Sequence, residues 1–358
     1  MTENFLLDEL CNLITDGSHY SPKNFEGGIP MYSVKDMTYY GFNSSKVKTI
    51  SSEDYLELKK NGCEPIDDDI IIAKDGSVMK HVFKYKRKEK CVLLSSIAIL
   101  RPNKNKIYPD YLSYSILNPQ IKKNIIKNYV SGSGVPRIVL RDFKKIKLKI
   151  IDLESQKKVS IFLNKIQKKI QINQKMNENL ENLTKTVFKS WFVDFDPVNK
   201  KSKNKSIELS KEISDLFSDT YEKTDLGKIP KNWNIQSFEN IVDEYIDNRG
   251  KTPPLIEKGI PLLEIKHMHD SSAFPNLETD KYVSQEVFDS WFRKHVNKYD
   301  VLISTVGTIG LTSLVFDTNF AIAQNVLGFR FSNKFLSLYM YYLIKSNYFQ
   351  QQVNSRLV

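Results

Sequence analysis

The stretch that organises this chain reads DDDIIIAKDGSV and occupies residues 67–78. An unbroken apolar run that leads into a glycine turn predicts a strand buried on both of its faces. The same order returns at residues 298–309, which read KYDVLISTVGTI. Asp69 recurs as Asp300, at an offset of 300 − 69 = 231 positions. The chain therefore contains this strand and turn twice.

Further matches extend the repeat in both directions. Residues 28–37 read GIPMYSVKDM and residues 259–268 read GIPLLEIKHM, at the same offset. Two later pairs keep the order at slightly smaller offsets: SSIAILR (95–101) with QNVLGFR (324–330), and YPDYLSYSILN (108–118) with LSLYMYYLIKS (336–346). A repeat of this length predicts two copies of one α/β domain.

The segment between the copies has a different composition. From Leu153 to Phe195 it contains no glycine or proline, and its apolar residues recur three or four positions apart. This spacing predicts one long helix with an apolar stripe, for which Asp152 is the expected N-cap. A helix of about 40 residues would span about 60 Å and would need a second helix to pack on. We expect the stripe and the aromatic residues at its end to bind a partner domain or subunit, through Leu163, Ile166, Ile170, Leu180, Leu183, Trp191 and Phe192.

Together these patterns predict an α+β fold. Two duplicated α/β domains would be separated by a long coiled-coil-forming α-helix. We expect the first copy over residues 1–151, the helix over 152–196, a charged and mobile linker over 197–230, and a C-terminally incomplete second copy over 231–358.

The chain is strongly basic. Lys and Arg number 53 and Asp and Glu number 42, which gives a net charge of +11 over 358 residues. Nucleic acid is one expected partner, because Lys and Arg gain affinity by releasing the counterions of phosphate groups. A lysine-rich proteome is the other explanation, and composition leaves both open.

Signals for membranes and secretion are absent from the sequence. The longest apolar runs fall short of the roughly 20 residues that span a bilayer, and the acidic N-terminus does not resemble a secretory signal. The three cysteines are scattered and include no CxxC pair. This pattern indicates a reducing compartment. We therefore expect a cytoplasmic protein without a membrane partner.

No set of catalytic residues is evident in the sequence. A phosphate-binding loop at Gly250–Thr252 lacks its first glycine, because Tyr245 stands there. Of Asp67–Asp69 only the last recurs in the second copy, which favours a turn over a metal cluster. The close pair His267 and His269 is a weak indication of a metal. We predict no catalytic residue, no metal and no cofactor bound by this chain, and a nuclease is the weakest alternative.

Polar loops in both copies are the candidate DNA contacts. Base reading needs side chains that reach base edges, and phosphate contacts hold the protein in place. In the first copy the candidates are Gly17, Ser18, His19, Tyr20, Lys35, Lys74, Asp75, Ser77, Ser131, Ser133 and Arg137. In the second copy they are Asn248, Arg249, Lys251, Thr252, Lys266, His267, Thr305, Thr308, Gln324 and Asn325. We expect Gly17 to allow close approach of the DNA and Arg249 to pair with guanine.

Three stretches resemble the specificity (S) subunits of type I restriction–modification systems. FKSWFVDFDPV (188–198) is similar to a signature of that family at the end of its central helix. LGKIPKNWNIQSFENIV (226–242) resembles the segment that opens the family's target-recognition domains. Residues 131–166 resemble its passage from a recognition domain into the conserved helix. Together with the repeat, the resemblance covers essentially the whole chain.

The resemblance implies a division of labour among subunits. Two target-recognition domains would each read one half of a split double-stranded DNA sequence, and two paired long helices would set the spacing. Modification (M) subunits would bind S-adenosylmethionine and methylate adenine. A restriction (R) subunit would add translocation and cleavage, and ATP and Mg would also bind partner subunits. This chain would select the site and perform no chemistry.

The second copy departs from the family pattern at its end. KSNYFQQQVNSRLV (345–358) lies over residues 117–130, so it stops before a counterpart of the first copy's glycine loop and long helix. We expect a truncated second copy, from a fragment, a frameshifted allele or a helix supplied by another chain. The alternatives are an assembly-defective or phase-variable S polypeptide that binds DNA weakly, and a coiled-coil nucleic-acid scaffold.

Overall fold

The structure is a computed structural model that describes residues 3–132, 134–203, 205, 209–225, 227–248, 250 and 252–355. The chain divides into two compact units, Met1–Gln171 and Ile172–Val358. This division falls inside the long helix, and the domain limits expected from the sequence stay a prediction. Among the described residues, none of the helices is both long and apolar enough to cross a bilayer.

The first unit mixes short strands with helices. Its strands are β1 (Glu3–Leu6), β2 (Cys11–Asp16), β3 (Ile29–Tyr32), β4 (Met37–Thr38), β5 (Gly41–Phe42), β6 (Lys48–Ile50), β7 (Ile70–Ala73), β8 (Val82–Lys84), β9 (Val92–Leu93), β10 (Ile97–Pro102) and β11 (Lys147–Ile150). Its helices are α1 (Leu7–Leu10), α2 (Ser52–Lys60), α3 (Pro109–Leu117), α4 (Pro119–Tyr129), α5 (Leu140–Lys144) and the start of α6 (Leu153–Phe192), and a 3-10 turn spans Val34–Asp36.

The apolar run of residues 67–78 forms strand β7 inside a four-stranded antiparallel sheet of order β2-β10-β7-β8. Because successive side chains point to opposite faces of a strand, Ile70 and Ile72 join one core cluster while Ile71 and Ala73 join another. The first cluster includes residues of α3, and the second includes residues of β3 and β9. Burial on both faces explains why the run does not alternate with polar residues, and it confirms the predicted buried strand.

The second unit has a closely related inventory. Its strands are β12 (Tyr221–Thr224), β13 (Gly227–Pro230), β14 (Glu244–Asp247), β15 (Ile260–Leu263), β16 (Tyr282–Val283), β17 (Val301–Ser304), β18 (Thr312–Leu314), β19 (Ala321–Ile322) and β20 (Val326–Arg330). Its helices are the end of α6, α7 (Asp196–Ser202), α8 (Lys211–Ser214), α9 (Phe238–Ile241), α10 (Gln285–Trp291), α11 (Lys334–Lys345) and α12 (Asn347–Asn354), and a 3-10 turn spans Ile265–His267.

Sheet topology confirms the duplication. The order β14-β20-β17-β18 in the second unit repeats β2-β10-β7-β8 of the first, and β16-β15-β19 repeats β6-β3-β9. Strand β15 pairs antiparallel with β16 and parallel with β19, just as β3 pairs with β6 and β9. The mixed α+β class with two copies of one domain, predicted from the sequence, is therefore correct.

Each copy contains the same buried ion pair beside its central strand. The side chain of Asp69 is 0% exposed and accepts hydrogen bonds from Nε and Nη2 of Arg101 at 2.9 and 2.8 Å. In the second copy Asp300 is 2% exposed and accepts from the same two groups of Arg330 at 3.1 and 2.9 Å. In the first copy the pair joins the turn before β7 to the end of β10. In the second copy it joins the turn before β17 to the end of β20.

The acidic run Asp67–Asp69 forms a tight turn. Asp69 N–H donates to Ile66 O at 3.1 Å, and Ile66 N–H donates back to Asp69 Oδ2 at 2.9 Å. Asp68 has a φ of 72°, and Tyr299 at the equivalent place in the second copy has a φ of 74°. The turn interpretation of this run is confirmed.

Helix α6 is 40 residues long, which corresponds to about 60 Å. Asp152 Oδ1 accepts a hydrogen bond from Ser155 N–H at 2.9 Å, which confirms the predicted N-cap. In the first unit Tyr114 Oη of α3 donates to Asn164 Oδ1 at 2.7 Å. In the second unit the buried Lys345 of α11 pairs with Glu181 at 2.7 Å. Polar contacts thus attach the same helix of each copy to α6.

The segment 197–230, predicted as a charged mobile linker, contains defined elements where it is described. It includes α7, α8 and the β12–β13 hairpin, and Phe217 is buried within it. The ring of Phe217 lies 5.9, 6.1 and 6.1 Å from those of Trp191, Phe192 and Trp233. Phe217 of this segment thus packs on the aromatic end of α6, and the role of 197–230 as a linker stays a prediction.

The ion pair yields a stability prediction. Arg101→Met leaves the Asp69 carboxylate buried without its partner, so we expect the free energy of unfolding to fall by about 3 kcal/mol. Denaturant unfolding measures this loss. Arg141→Met is the matched control. The Arg141 side chain is exposed, and its Nε lies 3.9 Å from Asp142 Oδ1, beyond hydrogen-bonding distance. Equal stability of the two variants would contradict the assigned role.

Candidate nucleic-acid interface

The two copies present equivalent loops where their central strands end. Lys74 N–H donates to Ser96 O at 3.0 Å in the first copy, and Thr305 N–H donates to Asn325 O at 3.0 Å in the second. We call the residues around the first contact the first face: Gly17–Tyr20, Lys74–Ser77, Ser95, Ser96, Ser131 and Arg137. The second face consists of Asn248, Thr305–Thr308, Gln324 and Asn325. Both faces sit on the same end of the repeated sheet, so one backbone frame supports each.

Ten of the eighteen predicted DNA contacts that the structure describes are exposed on the surface of their unit. The exposed residues are His19, Tyr20, Lys35, Ser77, Ser131, Arg137, Thr252, Lys266, Thr308 and Gln324. Asp75, Asn248, Thr305 and Asn325 are half-buried, while Gly17, Ser18, Lys74 and His267 are buried. Ser133, Arg249 and Lys251 lie outside the described residues.

A glycine-rich loop completes the first face. Ser131 and Arg137 exchange backbone hydrogen bonds of 2.9 and 2.8 Å, which closes the loop. Gly76 N–H donates to Pro136 O at 2.7 Å, and Ile138 N–H donates to Lys74 O at 3.0 Å. The structure therefore brings together two segments that lie some sixty positions apart in the sequence, and Arg137 is exposed where they meet.

Gly17 faces the protein backbone. A Cβ at this position would lie 2.0 Å from Leu93 O and 2.6 Å from Leu94 O. Ser18 N–H donates to Leu93 O at 2.7 Å, and Ser18 Oγ donates to Tyr20 O at 2.6 Å. The glycine allows close approach of the β9 end, and His19 and Tyr20 are exposed in the turn. Close approach of DNA at Gly17 stays a prediction.

Lys74 forms ion pairs within the first face. Lys74 is 7% exposed, and its Nζ lies 3.0 Å from Asp75 Oδ2 and 3.4 Å from Asp16 Oδ2. The second oxygen of Asp16 lies 3.5 Å from His19 Nε2. Because two carboxylates surround the ammonium group, Lys74 has an internal role and orders the loop, and it does not present a free cation.

The second face differs from the first at two central positions, where Thr305 and Val306 stand in place of Lys74 and Asp75, while Asp247 matches Asp16. Thr305 Oγ1 donates to Asn325 O at 3.2 Å, and Thr308 and Gln324 are exposed beside them. Asn248 is held internally, since its Oδ1 accepts from Arg293 N–H at 2.9 Å and its Nδ2 donates to Lys294 O at 3.0 Å. The two faces therefore share a backbone but differ in side-chain chemistry.

The 3-10 turns carry Lys35 and Lys266. Both lysines are exposed, and Lys266 Nζ pairs with Asp280 at 2.9 Å. His267, predicted as a DNA contact, is 4% exposed and its Nδ1 accepts a hydrogen bond from Glu264 N–H at 2.9 Å. The structure gives His267 an internal role as the cap of its turn.

Sequence reasoning missed Ser95 and Ser96. Ser96 Oγ accepts from Val34 N–H at 3.3 Å, and Ser95 N–H donates to Ser18 O at 2.9 Å. The repeat could have indicated them. In the alignment of residues 95–101 with 324–330, Ser95 and Ser96 match Gln324 and Asn325, which were predicted as DNA contacts. A basic run, KYKRKEK (84–90), was also missed, and its Lys86, Lys88 and Lys90 are exposed.

Groups that could perform chemistry are few in the part of the chain that the structure describes. There, no three His, Cys, Asp or Glu side chains come together to hold a metal ion. Burial raises the pKa of the Cys11 thiol to about 12 and that of Cys91 to about 11. Both cysteines are therefore protonated at neutral pH and are poor nucleophiles.

The apolar stripe of α6 remains on the surface of this chain. Ile166, Ile170, Leu180 and Leu183 are exposed, Ile170 at 46%, and Leu163 is half-buried. Trp191 and Phe192 differ from the stripe, because they pack in the aromatic cluster of the second unit, where Phe192 lies 5.2 Å from Tyr339. The sequence predicts that this aromatic pair binds either a partner domain or another subunit. In the structure its contacts are with a domain of the same chain.

Comparison with known proteins identifies relatives. The family described as "Type I restriction modification DNA specificity domain" matches residues 2–182. The MjaVIII type I restriction enzyme specificity subunit of Methanocaldococcus jannaschii is 24% identical over 302 residues, which cover 82% of this chain and 64% of that protein. The HindI specificity subunit of Haemophilus influenzae is 23% identical over 268 residues, which cover 62% of this chain and 57% of that protein. The chain thus spans about three fifths of the length of these relatives.

Solved structures align over nearly the whole chain. The S subunit of a type I restriction–modification system from M. genitalium covers 99% of this chain and 80% of its own, with 11% identity and a TM-score of 0.44. The HsdS subunit from Thermoanaerobacter tengcongensis covers 98% of this chain and 83% of its own, with 13% identity and a TM-score of 0.34.

The contact at Gly17 yields a second stability prediction. We expect Gly17→Ala to lower the free energy of unfolding by at least about 2 kcal/mol, because its methyl group would overlap the backbone of Leu93. Thermal unfolding measures the effect. Gly134→Ala is the control, since a Cβ there meets no atom within 4 Å. Similar melting temperatures for both variants would refute the proposed contact.

Proposed function

The chain belongs to the family of type I restriction–modification DNA specificity domains, and we propose that it is a specificity subunit that selects the DNA site for a type I complex. In this proposal each copy is a target-recognition domain, and each reads one half of a bipartite double-stranded target. The chain itself performs no chemistry. Adenine methylation and DNA cleavage belong to partner subunits.

The observation that carries the proposal is the repeated frame with unlike faces. The backbone contact between Lys74 and Ser96 has the same length as that between Thr305 and Asn325. The side chains on the two frames differ, with an ionic network on the first face and hydroxyl and amide groups on the second. Direct readout depends on the donors and acceptors that reach base edges, so one frame with two side-chain sets suits two different half-sites.

Charge supports a phosphate backbone as the ligand. The net charge of the chain is +11, and Lys35, Lys86, Lys88, Lys90 and Arg137 are exposed in the first unit. Such groups bind phosphates without reading sequence, and they hold the base-reading loops in place. Arg249 and Lys251 remain sequence-predicted contacts of the second copy.

The exposed stripe on α6 supports assembly with other subunits. An apolar row along a helix of about 60 Å is stabilised by packing on another helix. We propose that this surface, Leu163 to Leu183, holds the second helix of the family plan and the modification (M) subunits. S-adenosylmethionine would bind the M subunits, and ATP and Mg would serve the partner subunits, including the restriction (R) subunit.

Adenine methylation on random DNA tests the proposal. The chain would be purified together with the M subunits of its host and incubated with S-adenosylmethionine and a randomised DNA pool. We expect methyladenine within one motif made of two separated halves. Arg249→Ala should relax one position in one half, at a cost of about 1–3 kcal/mol. A continuous motif, or a stable complex that methylates no specific site, would refute the proposal.

A helix variant tests the assembly surface. We expect Ile170→Asp to leave the unfolding of the chain alone nearly unchanged, because Ile170 is exposed there, and to weaken co-purification of the M subunits by at least about tenfold, since a buried unpaired charge is costly. Lys175→Asp introduces the same side chain on the opposite side of the helix and should assemble normally. Equal assembly of both variants would exclude the stripe as the contact.

A further inference from the structure

The two 3-10 turns are closed by different chemistry at the same repeat position. In the first copy Asp36 Oδ2 accepts hydrogen bonds from Ser33 N–H and Ser33 Oγ, both at 2.8 Å. In the second copy His267 occupies the position of Asp36, and its Nδ1 accepts from Glu264 N–H at 2.9 Å. A carboxylate and an imidazole therefore perform the same local task.

The histidine can perform this task only in its neutral form. Because Nδ1 accepts a hydrogen bond, the ring proton of neutral His267 is on Nε2. That atom is buried and has no hydrogen-bond partner among the described residues. Protonation would place an N–H at Nδ1, opposite the N–H of Glu264, and the capping bond would be lost. The cap of the first copy is a carboxylate oxygen, so it does not depend on the protonation of an imidazole.

The surroundings of His267 also disfavour its charged form. Burial, followed by the charge of Lys266, lowers its pKa from the ordinary 6.5, and Glu264 and Asp280 act in the opposite direction. Among the described residues, the charged and titratable groups around it are Glu264, Lys266, His269, Glu278, Asp280, Lys281 and Tyr282.

Each turn is attached to a face by a hydrogen bond. In the first copy Val34 N–H donates to Ser96 Oγ at 3.3 Å. In the second copy Ala323 N–H, next to Gln324, donates to Leu263 O at 2.9 Å, immediately before the turn. Opening either turn would move the backbone that carries Lys35 or Lys266, close to the hydrogen bond that supports the adjoining face.

We infer that Asp36 and His267 are positioning residues of the two DNA-reading faces, and that the histidine makes reading by the second copy sensitive to acid while the aspartate spares the first. This inference rests on the proposed function, because it assigns the turns to DNA reading. Neither residue needs to touch the DNA, which agrees with their burial.

The direction of the pH effect follows from the lowered pKa. Above about 6.5 the His267 ring is neutral in the folded and unfolded chain, and the capping bond is intact. Below this pH the unfolded chain takes up a proton that the folded chain resists. The contribution of the cap to stability is therefore present above pH 6.5 and is lost as the pH falls through the folded pKa.

The first measurement uses the chain alone. His267→Asn keeps an acceptor for Glu264 N–H and removes the titration, whereas His267→Leu removes the acceptor. Unfolding would be followed from pH 8 to 5.5. We expect the parent to lose stability relative to His267→Asn below pH 6.5, and His267→Leu to be less stable throughout. His81 is present in all three proteins, so its titration cancels in the comparison. Parallel pH profiles of the parent and His267→Asn would overturn the inference.

The second measurement uses the complex with M subunits on its mapped target. Discrimination against a changed base would be measured for each half-site from pH 8 to 5.5. For the half-site of the second copy we expect an acid-dependent loss of about three- to tenfold, the equivalent of one lost cap. His267→Asn should abolish this loss, and Asp36→His should introduce the same loss at the half-site of the first copy.

The two measurements separate the possible failures. A stability difference together with equal acid response at both half-sites would reject the positioning role. A stability difference in a complex that reads no specific DNA at pH 8 would refute the proposed function, and the positioning role with it. Reduced acid sensitivity in His267→Asn, confined to one half-site, would establish the inference.

Discussion

A buried carboxylate–guanidinium pair is the interaction on which each copy of the fold depends. Asp69 with Arg101, and Asp300 with Arg330, joins the turn before the central strand to the end of its neighbour. A buried carboxylate without a partner costs several kcal/mol, so the pair fixes the register of the two strands. Register decides which loops meet at the opposite end of the sheet. The geometry of the candidate faces thus depends on an ion pair that lies outside them.

The common frame leaves the faces free to differ. In the first copy Lys74, Asp75, Asp16 and His19 form an ionic network. In the second copy Thr305 and Val306 stand in place of Lys74 and Asp75, and Thr305 bonds to the backbone of Asn325. Because the supporting contacts are made by the backbone, side chains can change without disturbing the sheet. The same freedom extends to the turns, where an aspartate in one copy and a histidine in the other provide the cap.

Much of the fold could be predicted from the sequence, and less of the candidate site. The repeat offset, the doubly buried strand β7 and the helix that Asp152 begins are local or periodic features, and all three were predicted correctly. The packing of Phe217 in the segment 197–230 could not be predicted, because the composition of that segment is charged and the packing partners of Phe217 lie outside it. The base-contact assignments and the partner surface on α6 stay predictions.

By itself the sequence determined a duplicated α+β chain with a long amphipathic helix and polar loops at equivalent places. Those features follow from spacing and from the order of residues, which act over short distances. The tertiary structure decided which polar residues face outward. Gly17 meets the backbone of Leu93, Lys74 lies between two carboxylates, and His267 is buried over its own turn. Burial and charge pairing depend on segments far apart in the chain. The sequence alone therefore does not distinguish a polar loop residue that faces a ligand from one that supports such a residue.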